Sequence, residues 1–263
     1  MESGSGWYVY GVVPAAQASE EWFAGARGVH GTGAVVLVGD GELSAIASNV
    51  PLAEFGEAAL DANIHDEAWL EEKVRAHDAV LEAALHQVPL VPFRFGTIYR
   101  SDEQVRAMLR EHSHLAGTLE RLRGTVELGV KVFLDREEFE RKHGGQSEEQ
   151  PSEGGRAYLL RKQRDRQLAE AQDAFAAAAA QESHEQLSGA AEDSRANPLH
   201  APEITGRAGE MILNGAYLVR VAREEAFREA LAALRAKYGE DGVRYELTGP
   251  WPPYNFVGAE PEL

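Results

Sequence analysis

Histidines are the side chains whose type first suggests chemistry here, because a neutral imidazole is both a common metal ligand and a general base near neutral pH. The sequence has 9 of them, at His30, His65, His77, His86, His112, His114, His143, His184 and His200. Their scatter argues against a shared ion. His112 and His114 stand two apart on one predicted helix, roughly 200° around its axis, so they cannot chelate together. No metal and no other cofactor is expected. Gly28-Val-His-Gly-Thr-Gly33 lacks the preceding strand and following helix that a phosphate loop requires. No nucleophile, base and oxyanion donor converge, so an enzyme is not expected either.

Three other places hold residues of interest. His77 interrupts an apolar helical stripe, which fits a buried imidazole bonded to a carbonyl or, alternatively, a member of a site. Arg94 lies between Phe93 and Phe95. In extended chain its guanidinium points away from both rings, so it is read either as half of a buried ion pair joining two domains, with Glu127 or another carboxylate, or as a five-donor fork for a partner. Near the end, Trp251, Tyr254 and Phe256 are interleaved with Pro250, Pro252 and Pro253. Prolines hold such a segment extended. It either staples a domain junction or contacts a partner directly, and Trp251 is the ring expected to be buried. The charges of Glu137–Lys142 and Arg161–Arg166 read as solvated helix faces, with a binding role as the alternative.

The elements that position these residues alternate between strand and helix periods. Trp7–Val13 is β-branched and aromatic and stops at Pro14, a strand. Ala34–Val38 and Leu43–Ser48 flank Gly39-Asp40-Gly41, a hairpin. Leu70, Val74, His77, Leu81 and Leu85 predict an amphipathic helix from Asp66. Val88–Thr97 is too rich in proline for a central strand. Ser101 caps a helix whose stripe runs Val105, Met108, Leu109, His112, Leu115, Leu119 and Leu122, ended by Gly124. Thr125–Leu134 alternates as a half-buried strand. A loop is expected between Lys142 and Gly155, then a helix over 156–187 with a seam at Leu168, Ala171, Phe175 and Ala178. That helix is expected to fold back on 185–196 as a coiled-coil-like pair. Strand 211–221, helix 224–238 and strand 242–247 complete a β-α-β, ferredoxin-like skeleton. The fold class is α+β in two domains: an N-terminal domain with an antiparallel sheet (1–124) and a C-terminal ferredoxin-like domain with a long helical pair and the aromatic tail (125–263).

The 263 residues suit about two domains. With 26 Lys and Arg against 43 Asp and Glu, the net charge of -17 opposes a phosphate backbone, so nucleic acid is not an expected partner. No apolar run approaches the roughly 20 residues of a membrane span. Residues 1–6 show no basic and apolar leader, and there are no cysteines, which together suit the cytoplasm.

Six stretches, in order, carry a resemblance: Tyr8-Val-Tyr-Gly-Val-Val13, Pro92-Phe-Arg-Phe-Gly-Thr97, Val126-Glu-Leu-Gly-Val-Lys-Val132, Gly155-Arg-Ala-Tyr-Leu159, Gly215-Ala-Tyr-Leu-Val219 and Leu247-Thr-Gly-Pro-Trp-Pro-Pro-Tyr-Asn-Phe-Val257. Together they resemble the gas vesicle accessory proteins of the GvpF/GvpL family over nearly the whole chain. Leu128 stands where a Trp is common and Phe93 where a Leu or Met is common. The resemblance implies a non-enzymatic, cytoplasmic, gas-vesicle-associated protein that binds the major small hydrophobic shell subunit (GvpA type) and keeps it soluble, with other gas vesicle accessory proteins as further partners. The alternative it implies is a minor structural component of the vesicle wall. The hairpin between Ala34 and Ser48 is the edge against which such a client is expected to lie.

Overall fold

The computed structural model describes residues 4–144, 155–200 and 209–258. The loop expected between Lys142 and Gly155 falls almost wholly on 145–154, outside the described residues. The chain divides into two compact units, the first reaching Val126 and taking back the tail from Trp251, the second spanning Glu127–Pro250.

The first unit is built on a five-stranded antiparallel sheet. Strand β1 (Ser5–Pro14) is its centre, pairing on one side with β3 (Leu43–Pro51) and on the other with the two-residue strands β4 (Val91–Pro92) and β5 (Ile98–Tyr99). The hairpin places β2 (Val35–Asp40) beyond β3, and Gly41 supplies the positive φ of its turn. Proline confines β4 to the periphery, as its composition predicts. Helices α1 (Leu52–Phe55), α2 (Glu57–Asn63) and α3 (Glu67–Leu85) follow β3, with Asp66 capping α3 through two N–H groups. The buried face of α3 is Lys73, His77, Val80, Leu81 and Ala84. It is turned somewhat from the purely apolar stripe, so that Leu70, Val74 and Leu85 are only half-buried.

The helix expected to run unbroken to Gly124 is two: α4 (Asp102–Glu111) and α5 (Leu115–Leu122). The break at His112-Ser113-His114 has a local cause, because all three have modest helix propensity and the His112 ring bonds the Met108 carbonyl at 2.9 Å. The leucines of both helices are nonetheless buried.

The second unit contains β6 (Thr125–Leu134), α6 (Arg136–His143), α7 (Gly155–Gly189), β7 (Asp193–Ala196), β8 (Glu210–Arg220), α8 (Glu224–Tyr238) and β9 (Val243–Trp251). Its sheet order is β7-β8-β6-β9, the interleaving of a β-α-β-β-α-β, ferredoxin-like fold. The expected fold-back over 185–196 is corrected. Helix α7 continues as one element to Gly189, and 193–196 is a strand, antiparallel to β8. This strand is short, polar and at an edge, where backbone pairing rather than side-chain burial holds it. Strand β9 runs past Gly249 and Pro250, which an edge strand tolerates. The boundary expected at 124/125 falls two residues later, and the tail assigned to the C-terminal domain groups with the first unit instead. The physical reason is its anchoring: Phe256 is fully buried and its carbonyl accepts from the Arg121 guanidinium.

Candidate functional site

The first unit gathers the sequence-predicted residues around β1. Tyr8 and Tyr10 share one face of the strand, their ring centroids 4.9 Å apart, and His77 projects from α3 against both. The Tyr8 hydroxyl accepts from the Gly96 N–H (3.1 Å) and lies 2.9 Å from His77 Nδ1; His77 Nε2 lies 3.0 Å from the Tyr254 hydroxyl. With Gly96 donating to it, the Tyr8 hydroxyl has its own proton to give to Nδ1, which leaves Nε2–H as donor to Tyr254. Burial pushes the His77 pKa down to about 4, partly opposed by the Phe93 carbonyl, so the ring is neutral at physiological pH. Burial pushes the Tyr8 hydroxyl far up. An imidazole held between two tyrosine hydroxyls positions structure. Here it ties the C-terminal tail to α3 and, through Tyr8, to the turn at Gly96.

That turn presents the arginine motif. Thr97 N–H and its hydroxyl both reach the Arg94 carbonyl, at 3.3 and 2.9 Å. Gly96 has φ +89° and lies where an added Cβ would meet Leu60 Cδ2 at 2.9 Å, so only glycine fits. Phe93 is buried, and Phe95 packs edge-on to Tyr8, His77 and Trp69. Arg94 is exposed, while Phe93 is buried and Phe95 half-buried on either side of it.

In the tail, Pro252, Pro253, Phe256 and Val257 are buried, whereas Trp251 is 48% exposed and Tyr254 37% exposed. The buried anchor is therefore Phe256, not Trp251. The prolines and the short turn over Tyr254–Phe256, closed by Phe256 N–H to the Pro253 carbonyl (3.0 Å), drive one ring in and leave two outside.

Next to the turn lies a feature that sequence reasoning missed. Leu52, Phe55, Leu60, Ile64, Phe95 and Ile98 line an open groove of about 650 Å³, with Glu57, Asp61 and Arg100 at its rim. Its signal was present in the helical spacing of Leu52, Phe55, Leu60 and Ile64. A second hollow of similar volume, beside the β2–β3 turn, is walled mainly by alanines, proline and loop backbone and offers less apolar side chain. Helix α1, which contributes Leu52 and Phe55, is braced by Glu54, whose carboxylate receives His30 Nδ1 (2.8 Å) and Trp69 Nε1 (3.1 Å) and lies 3.5 Å from Lys73 Nζ. Burial alone would raise the Glu54 pKa, but these hydrogen bonds and the Lys73 charge outweigh it and hold the carboxyl below its usual range.

On the outer edge of β2 the Leu37 N–H donates to Glu20 Oε1 (3.2 Å), and the Gly39 carbonyl accepts from Arg106. Among the described residues no group of three or more His, Asp or Glu could hold a metal, and no helix is long and apolar enough to cross a membrane.

The family model described as gas vesicle synthesis protein GvpL/GvpF matches residues 6–258. The chain is 37% identical over 247 residues to gas vesicle protein L of a Streptomyces species, covering 90% of this chain and 88% of that one. It is 28% identical over 254 residues to gas vesicle protein F1 of Halobacterium salinarum, covering 95% and 92%. The crystal structure of the gas vesicle protein GvpF from an Anabaena species has the same fold, with a TM-score of 0.71 at 19% identity over 98% of both chains.

Proposed function

Because this chain belongs to the GvpL/GvpF family of gas vesicle proteins, we propose that it is an assembly accessory protein that captures the small apolar shell subunit (GvpA type) and keeps it dispersed until it joins the growing wall. The observation that supports this reading is the groove over Leu52–Ile64 and Phe95–Ile98. An apolar helix laid there buries Leu, Ile and Phe side chains at roughly 25 cal/mol per Å². The surrounding net charge of -17 keeps the complex soluble. The Glu20 and Arg106 contacts to two backbone groups of β2 favour this groove over strand addition. Capture by groove needs no nucleotide, metal or turnover. The working place of such a protein is the cytoplasm, at the growing vesicle.

The test is co-expression of the full chain with the shell subunit. Ile64 is 38% exposed, so Ile64→Glu leaves the fold intact while placing a charge in the groove. The expected outcome is loss of soluble subunit with an unchanged melting temperature. Undiminished capture by Ile64→Glu and by Leu52→Glu would remove the groove from the reading. Retention of the chain in urea-washed vesicles, without any effect on subunit solubility, would replace it with a structural role in the wall.

A further inference from the structure

Helix α2 carries two stripes side by side. Leu60 and Ile64, four residues apart, line the apolar groove, and Glu57 and Asp61, also four apart, stand about 60° further round the helix at the groove's rim. Both acids are exposed. Arg100 reaches the same groove from the segment that follows β5, so negative charge enters it from α2 and positive charge from elsewhere in the chain.

The fold accounts for only part of this arrangement. Glu57 lies in the first turn of α2, where an acid complements the helix dipole. Asp61 has no such reason to be there. It lies in the last turn of the helix, where the dipole opposes a negative charge, and it follows a like charge at a spacing of four, which destabilises a helix. Glu54, on α1, shows how an acid in this part of the chain is balanced when structure requires it: Lys73 Nζ lies 3.5 Å from its carboxylate, and Trp69 Nε1 and His30 Nδ1 bond to it. Neither Glu57 nor Asp61 has an ion-pair partner among the described residues.

We propose that the segment of the client that enters the groove is an amphipathic helix with Lys or Arg along the flank facing α2, and that Glu57 and Asp61 select it over helices of equal hydrophobicity. This rests on the groove being the place of capture. An apolar floor does not discriminate among apolar helices, because hydrophobic burial is non-directional. Charges at the rim supply the discrimination and fix the rotation of the helix about its own axis. Bases four residues apart on the client match the two acids, since both pairs then span about 6 Å of helix axis. The Arg100 charge disfavours bases on the other flank. Ion pairs in exposed positions are individually weak, so the preference is modest and sensitive to salt.

Fluorescence anisotropy of the full chain with three labelled, synthetic amphipathic helical peptides tests the proposal. The peptides share one Leu and Ile face and differ only along one flank, which carries Lys, Gln or Glu at a spacing of four. At low salt the expected order of affinity is Lys over Gln over Glu, with Lys ahead of Gln about five-fold and the gap closing as salt is raised. Glu57→Gln combined with Asp61→Asn, nearly isosteric changes at exposed positions, is expected to remove the preference while leaving the affinity for the Gln peptide and the circular dichroism unchanged. Ile64→Gln, which is polar but uncharged, weakens all three peptides. Equal affinity of the parent for the Lys and Gln peptides, or a preference that survives in the double variant, overturns the proposal; groove capture itself still stands if Ile64→Gln weakens every peptide. Binding indifferent to Ile64→Gln, or no binding of any peptide, overturns both.

Discussion

Replacing His77 with glutamine tests the network that joins the tail to α3. His77 keeps its ring neutral in the folded protein down to a pKa of about 4, against 6.5 for an ordinary histidine, because burial removes the solvation of the charged form. The unfolded chain takes up that proton first. Stability from this group is thus intact above pH 6.5, falls as the pH drops from 6.5 to 4, and levels off below 4. At pH 4.5 the loss is about 2.5 kcal/mol, since each unit of pKa difference is worth about 1.4 kcal/mol and the difference is nearly fully expressed there. Glutamine fills similar space and bonds neutral partners, yet does not titrate. Urea denaturation at pH 7.5 and pH 4.5 gives the comparison. The carboxyls of Glu54, held low, and Asp78, pushed up by burial and by Glu82, titrate in both proteins and cancel in the difference. His77→Gln is expected to lose about 2.5 kcal/mol less than the parent over that range. Equal losses in the two proteins would refute the reasoning, because they would mean that the ring is hydrated or already charged when folded.

Two further substitutions separate anchors from surface. Phe256→Ala is expected to cost about 3–5 kcal/mol in denaturant unfolding, as for a fully buried ring, while the half-exposed Trp251→Ala costs under about 1 kcal/mol; the opposite order would place the tail differently. Tyr8→Phe removes the hydroxyl that serves both Gly96 N–H and His77 Nδ1, and a loss of about 2 kcal/mol is expected from thermal melting; an unchanged melting temperature would show that water replaces it.

The parts of the fold that were legible in the sequence are those where local chemistry and burial agree. Strand β1 is β-branched and aromatic because both its faces are covered, and the β2–β3 turn carries Gly41 because it needs a positive φ. The Ser101 hydroxyl accepts the Gln104 N–H at 3.2 Å, as an N-cap should. Where these signals part company, the reading fails in a consistent direction. Asp193-Ser-Arg-Ala196 looks like no strand, because it is held by pairing with β8 along one edge rather than by side-chain burial. The stripe through His112 looks continuous, because hydrophobic spacing does not register three residues of modest helix propensity. Of the expected α7 seam, Phe175 packs, against Phe139 and Tyr238, but the buried face is one residue further round, at Gln172, Ala176, Ala179, Ser183 and Leu187, whose small and polar members carry almost no hydrophobic signal.

The site shows the same limit more sharply. His77 could be singled out by its place in an apolar stripe, but its partners lie 69 and 177 residues away along the chain. Nothing local to Tyr8 or Tyr254 announces a shared imidazole. The tail could be recognised as aromatic and proline-bound, but which ring goes inside depends on φ and on the turn over Tyr254–Phe256. Residue type would favour the larger Trp251, and the backbone chooses Phe256. The consequence is a tail with two jobs on one short segment. Phe256, Val257 and the Tyr254 hydroxyl fasten it to the first unit, while the Trp251 ring and part of the Tyr254 ring remain at the surface. His77 links this tail through Tyr8 to Gly96, and Gly96 lines the groove beside Leu60, so one hydrogen-bonded chain runs from the tail to the groove wall.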